Sequence, residues 1–168
     1  DFNSDGIGDV CQDSDGDGIL DAADCAPGLA HQGGPPGEAP PFLRPAQASG
    51  TTTLSWLPAY QAPVHNTYRG RLPAIGQGFF SHACMQGGLP RRTTSDSSVP
   101  ALGEAVYYLV SGVNTCGEGA LGFGAGGAPL PFNGSCPLTQ ADTDGDGVRD
   151  LADTCPTVAD PAQTDSDR

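Results

Sequence analysis

The sequence predicts a mostly β protein, a small antiparallel β-sandwich held between two irregular, aspartate-rich ends. Three observations lead there. Aspartates crowd into the two ends, the middle alternates apolar and polar residues in short runs, and turn-forming residues separate those runs, with 25 Gly and 16 Pro among 168 residues. No stretch has the period and length of a useful helix.

Charge marks the boundaries. The chain carries a net charge of −13. Residues 1–25 hold eight aspartates and residues 142–168 eight more, against Arg149 and Arg168, so the ends sum to −14 and the middle to +1. Nucleic acid is excluded as a partner, because its recognition needs basic surface. No apolar run is long enough to span a bilayer, so membrane insertion is not expected. The organisation predicted is an acidic segment over 1–27, a Pro/Gly linker over 28–40, the sandwich over 41–131 and a second acidic segment over 132–168.

The acidic ends have fixed spacing. Residues 13–24 read DSDGDGILDAAD and residues 142–153 read DTDGDGVRDLAD, with aspartate at positions 1, 3, 5, 9 and 12 and glycine at position 6 of each segment. A disordered acidic tail needs no such register. Calcium does, because it takes six to eight oxygens and an alternating aspartate run around a tight glycine turn gathers them at one point. A third copy, DFNSDGIGDVCQ over residues 1–12, keeps Asp1, Asn3, Asp5, Gly6 and Asp9 and has Gln12 at the last position. Asp13, one residue further, is expected to substitute there, so that one carboxylate serves two neighbouring ions. Asp165 and Asp167 read as the opening of a further copy. An EF-hand is rejected, since Pro27, Pro156 and Pro161 stand where its exiting helix would run.

These segments resemble thrombospondin type 3 repeats. The resemblance rests on the loops, on the Cys-Pro step in DTCPTVADPAQTDSD from Asp153 to Asp167 and on the GDVC step from Gly8 to Cys11. It implies irregular chain wound around a row of calcium ions and braced by disulfides. It also implies ligands at Asp13, Asp15, Asp17, Asp21 and Asp24 in one loop and at Asp142, Asp144, Asp146, Asp150 and Asp153 in the other. Position 7 would offer a backbone carbonyl, at Ile7, Ile19 and Val148. Joining the last residues to the first gives CPTVADPAQTDSDR followed by DFNSDGIGDVC, one complete repeat. The expectation is one period of a tandem array, or a subunit docking head to tail on its own copy.

Six cysteines and no lysine suit an oxidising, extracellular setting. Fifteen pairings are open to six cysteines, and the sequence does not choose among them. The pairing expected is Cys84 with Cys116, Cys25 with Cys136, and Cys155 with Cys11 of the next copy. Zinc is not expected, because there is no Cys-x-x-Cys and His31, His65 and His82 are scattered.

Strands in the middle are predicted at Thr51–Leu57, Val64–Gly70, Gly78–Cys84 and Ala105–Val113. In the last, Val106, Tyr108 and Val110 share one face, and Tyr107, Leu109 and Val113 the other. Trp56 and Tyr108 are the expected core anchors. The Leu54-Ser55-Trp56 step and the string from Tyr108 through Asn114 to Gly117, Glu118 and Gly119 resemble a fibronectin type III domain. That implies a two-sheet sandwich. Val106 stands where the family usually has a tyrosine.

Other features read modestly. Asn133-Gly134-Ser135 is a glycosylation sequon. Thr93–Ser98 reads as an exposed loop able to carry sugars, Arg69-Gly70-Arg71 as a turn and Gly122–Gly127 as a flexible linker. Tyr60, Tyr68 and Phe79 are candidates for a carbohydrate-binding patch. No nucleophile–base or paired-carboxylate constellation remains once the aspartates are assigned to calcium, so an enzyme is not expected. Two functions fit: a secreted calcium-braced fibre or stalk, and a calcium-stiffened spacer presenting an adhesive or carbohydrate-binding module to a cell-surface ligand.

Overall fold

A computed structural model describes residues 1–40, 42–72, 81–132, 134–137 and 140–164. Seven strands form two antiparallel sheets: β1 Arg44–Ala48, β2 Thr51–Ser55, β3 Val64–Leu72, β4 Ala83–Leu89, β5 Thr93–Asp96, β6 Ala105–Asn114 and β7 Gly117–Glu118. One sheet has the order β1-β2-β5 and the other β4-β3-β6-β7. The protein is mostly β, as its sequence predicts.

The β1–β2 hairpin turns through Ser49 (φ 49°) and Gly50 (φ 80°). Positive φ at both central residues gives the hairpin turn whose twist matches the flanking strands. β3 and β6 form the longest ladder, from Val64↔Val113 to Leu72↔Ala105. Between the sheets, Leu54, Trp56 and Val110 are buried, and Leu43, Met85, Leu89 and Tyr108 pack against them. Trp56 and Tyr108 thus occupy the core expected of them.

The other face of the four-stranded sheet is covered too. Tyr68 of β3 packs with Leu121 and Cys136, and Cys84, Leu109 and Leu130 close around them. β6 therefore buries residues on both faces, with Tyr108 and Val110 inward and Leu109 under the segment that follows β7. Tyr68 Oη donates to Glu118 Oε1 at 2.5 Å, and Ser111 Oγ donates to the same oxygen. Burial and then the Glu118 carboxylate push the Tyr68 phenol up to about 12.

Several expectations are corrected. β4 spans Ala83–Leu89 rather than starting at Gly78; Gly78–Phe80 lie outside the described residues. Thr93–Asp96 is strand β5, because Thr94 pairs with Leu54 in the sheet. Arg69-Gly70-Arg71 lies within β3 and is no turn. Gly122–Gly127 is not a free linker, since Gly124 N–H donates to Ala128 O (2.8 Å) and Leu130 N–H to Gly122 O (2.9 Å) in a small closed turn. Tyr68 is fully buried while Tyr60 is 78 % exposed, so these two form no common patch; Phe79 and Asn133 lie outside the described residues.

The disulfides are Cys25–Cys116 and Cys84–Cys136, the reverse of the intrachain partners expected. Cys136 is drawn onto the outer face of the sheet, beside Tyr68, where Cys84 of β4 lies. Cys116 sits in the β6–β7 turn, at the end of the sandwich that faces the first acidic segment. Cys11 and Cys155 are exposed and unpaired within the chain.

Candidate metal centre

The two twelve-residue loops fold alike. In the first, Gly16 N–H and Gly18 N–H donate to the two oxygens of Asp13, at 2.7 and 2.9 Å. In the second, Gly145 and Gly147 do the same to Asp142, at 2.8 and 3.0 Å. Asp17 Oδ1 accepts from Ile19 N–H at 2.7 Å, as Asp146 Oδ1 does from Val148 N–H at 2.8 Å. Gly18 (φ 93°) and Gly147 (φ 96°) take the left-handed conformation that the position-6 turn requires.

The position-9 aspartates act as brackets. Asp21 receives Ser14 N–H and Oγ–H at 2.7 and 2.6 Å, and Asp150 receives Thr143 N–H and Oγ1–H at 2.7 Å each. Both are buried. Asp9 accepts Phe2 N–H in the same way, at 2.7 Å.

One set of oxygens is left over. Asp13, Asp15 and Asp17 bring one ligand atom each within 4.8 Å of the others, and Asp142, Asp144 and Asp146 do likewise. Asp15 Oδ2 and Asp144 Oδ2 at position 3, and Asp24 Oδ2 and Asp153 Oδ2 at position 12, are buried without a hydrogen-bond partner. A buried carboxylate oxygen with no partner is costly. Its recurrence at the same two positions of both loops marks a place for a cation. Burial, with the crowding of neighbouring aspartates, pushes the Asp15 and Asp144 carboxyls above their usual range. The donor set is all oxygen, which suits calcium.

Loop 1–12 keeps the scaffold with neutral substitutes. Gly6 N–H donates to Asp1 Oδ2 at 2.9 Å and Ile7 N–H to Asp5 Oδ1 at 2.8 Å. Gln12 Nε2 donates to Asp5 Oδ2 at 2.8 Å, and Gln12 Oε1 is buried without a partner, as Asp24 and Asp153 are at the same position. The Ile7 and Gln12 donors hold Asp5 below the usual carboxylate range. Gln12 is a candidate ligand that the sequence reading passed over in favour of Asp13, although its place at position 12 was the signal. Asp165 and Asp167 lie outside the described residues.

The fold and the loops define an antiparallel sandwich set between aspartate-loop segments. Residues 1–32 and 135–163 match the family model of the thrombospondin type 3 repeat. No curated protein matches the chain. Among solved structures, a Fn3-like protein from Clostridium thermocellum is similar at 23% identity and a TM-score of 0.38, over 50% of this chain and 79% of that one.

Proposed function

We propose that this is an extracellular calcium-binding structural protein, one period of a fibre or stalk whose joints are stiffened by calcium and disulfides. The observation that carries its calcium binding is the buried, partnerless oxygen at positions 3 and 12 of both loops. In each loop the ion is held by positions 1, 3, 5 and 12, namely Asp13, Asp15, Asp17 and Asp24, and Asp142, Asp144, Asp146 and Asp153. The carbonyls of Ile19 and Val148 complete the shell. Asp21 and Asp150 hold the loop closed around it.

Bound calcium supplies the charge that offsets the −14 of the ends. The loops bury too little apolar surface to offset their ordering entropy, so ion binding and folding of the ends are one equilibrium. Copies associate head to tail, with Cys155 of one bonded to Cys11 of the next; the exposure of both thiols supports this. The type 3 repeat match and the two disulfides support an oxidising, extracellular location. Electron microscopy in millimolar calcium, and again in EGTA, tests the reading. Filaments of regular axial period that fray on chelation are expected, and isolated particles in both conditions would refute the fibre.

A further inference from the structure

Gln32 is fully buried, and its side chain joins three parts of the chain. Its Nε2 donates to Leu151 O at 2.8 Å. Its Oε1 accepts from Thr115 N–H at 2.9 Å and from Thr115 Oγ1–H at 2.6 Å. Leu151 stands two residues before Asp153, the last carboxylate of loop 142–153. Thr115 stands beside Cys116, which is bonded to Cys25, the residue after Asp24 of loop 13–24. A continuous path of bonds and hydrogen bonds therefore runs from Asp24 through Cys25, Cys116, Thr115, Gln32 and Leu151 to Asp153.

Further contacts join the same parts. A cavity of about 460 Å³ lies elsewhere, by Phe42 and Trp56, but a second, smaller one of about 270 Å³ is lined by Asp15, Leu29 and His31 from the first repeat and by Thr154 and Gln163 from the second. Asn114 Nδ2 donates to Gly34 O at 2.8 Å, pinning the Pro/Gly segment that follows Gln32 to the end of β6. A Cβ at Gly33 would stand 2.3 Å from Asp17 Oδ2 and 2.5 Å from Ile19 Cδ1, so this segment also lies hard against loop 13–24.

The geometry points to Gln32 as a coupling residue that makes the two calcium loops, far apart in sequence, one cooperative unit, with the sandwich hanging from it as a side arm. This inference rests on the calcium reading above. Two sites are coupled when occupation of one biases the arrangement the other needs. The position-12 carboxylate lies two residues from Leu151, which Gln32 holds, in one loop, and one residue from Cys25, which is bonded to the neighbour of Thr115, in the other, so ordering one loop positions the other.

The test is a calcium titration of the intact chain followed by amide NMR at Gly18 and Gly147, whose N–H groups donate to the position-1 carboxylate of each loop. Asp146→Ala empties loop 142–153. It is expected to raise the calcium needed to half-saturate Gly18 by about five-fold, and in a Gln32→Met background to raise it hardly at all. Thr115→Val, which removes one donor and keeps the backbone, should reduce the coupling in part. A Gly18 midpoint indifferent to Asp146→Ala overturns the coupling while leaving calcium binding intact. Coupling that survives undiminished in both Gln32→Met and Thr115→Val overturns the role of Gln32. Glycine signals that ignore calcium altogether overturn the calcium reading, and this inference with it.

Discussion

Arg69 Nε lies 2.7 Å from Asp96 Oδ2, an ion pair that ties β3 of the four-stranded sheet to β5 of the three-stranded one. Tyr108 Oη donates to the same oxygen at 2.9 Å. Burial would raise the Asp96 carboxyl, but Ser98, Tyr108 and the Arg69 charge outweigh it and hold it below its usual range. Removing one partner leaves the other charged inside the sandwich. Arg69→Met is expected to destabilise the sandwich by about 3 kcal/mol, and Tyr108→Phe by about 1 kcal/mol, in urea unfolding at saturating calcium. Equal, near-zero losses would show that the pair contributes nothing net.

His65 makes the sandwich sensitive to mild acid. It is 1 % exposed, and its Nε2 accepts from Ala59 N–H at 3.2 Å. Burial, with the nearby Arg92 charge, pulls its pKa from 6.5 down to about 4. The unfolded chain then binds the proton more readily than the folded one, so stability falls as pH drops from 6.5 towards 4. The span corresponds to roughly 3 kcal/mol. Urea unfolding across that range should show the loss in the native protein and lose most of it in His65→Gln. A native curve flat in pH would contradict the burial of a neutral imidazole.

Gln12 distinguishes the first loop from the other two. It puts a neutral amide oxygen where Asp24 and Asp153 put a carboxylate, and Asn3 does the same at position 3. Fewer charged ligands weaken calcium binding. Gln12→Asp should therefore tighten the response of Gly6 to calcium by about ten-fold and leave Gly147 unmoved. A Gly6 response unchanged by the substitution would place the last ligand elsewhere, with Asp13 the first to examine.

Disulfide connectivity is open to direct measurement. Proteolysis of the oxidised protein and mass spectrometry should yield the Cys25–Cys116 and Cys84–Cys136 peptides, with Cys11 and Cys155 alkylated in the isolated chain. Recovery of Cys84 bonded to Cys116 would restore the pairing the sequence first suggested.

How much was legible followed from the range of the interactions. The aspartate loops were plain because their oxygens come from one twelve-residue stretch, so spacing along the chain is spacing around the ion. β6 was plain because Tyr108 and Val110 alternate with Tyr107 and Leu109. β1 left no such trace: all five of its residues are exposed, so no alternation exists to find. β4 was placed too early because GFFSHAC carries two strand-favouring aromatics, whereas the equally apolar ACMQGGL that forms the strand contains the strand-disfavouring pair Gly87-Gly88. Gln32 was invisible for a different reason. Its partners lie 83 and 119 residues away, and nothing local distinguishes it from any other glutamine.

The Cys25–Cys116 bond also decides how the molecule would carry tension. A pull on the two ends travels from the first repeat to Cys25, crosses the sulfur bridge to Cys116 and continues towards the second repeat. Residues 26–115, which include β1 to β6, lie off that path as long as the bond holds. β1 to β6 are then shielded from a load that β7, at Gly117–Glu118 just past the bridge, still meets, and only a reductant would put those six strands in the line of force.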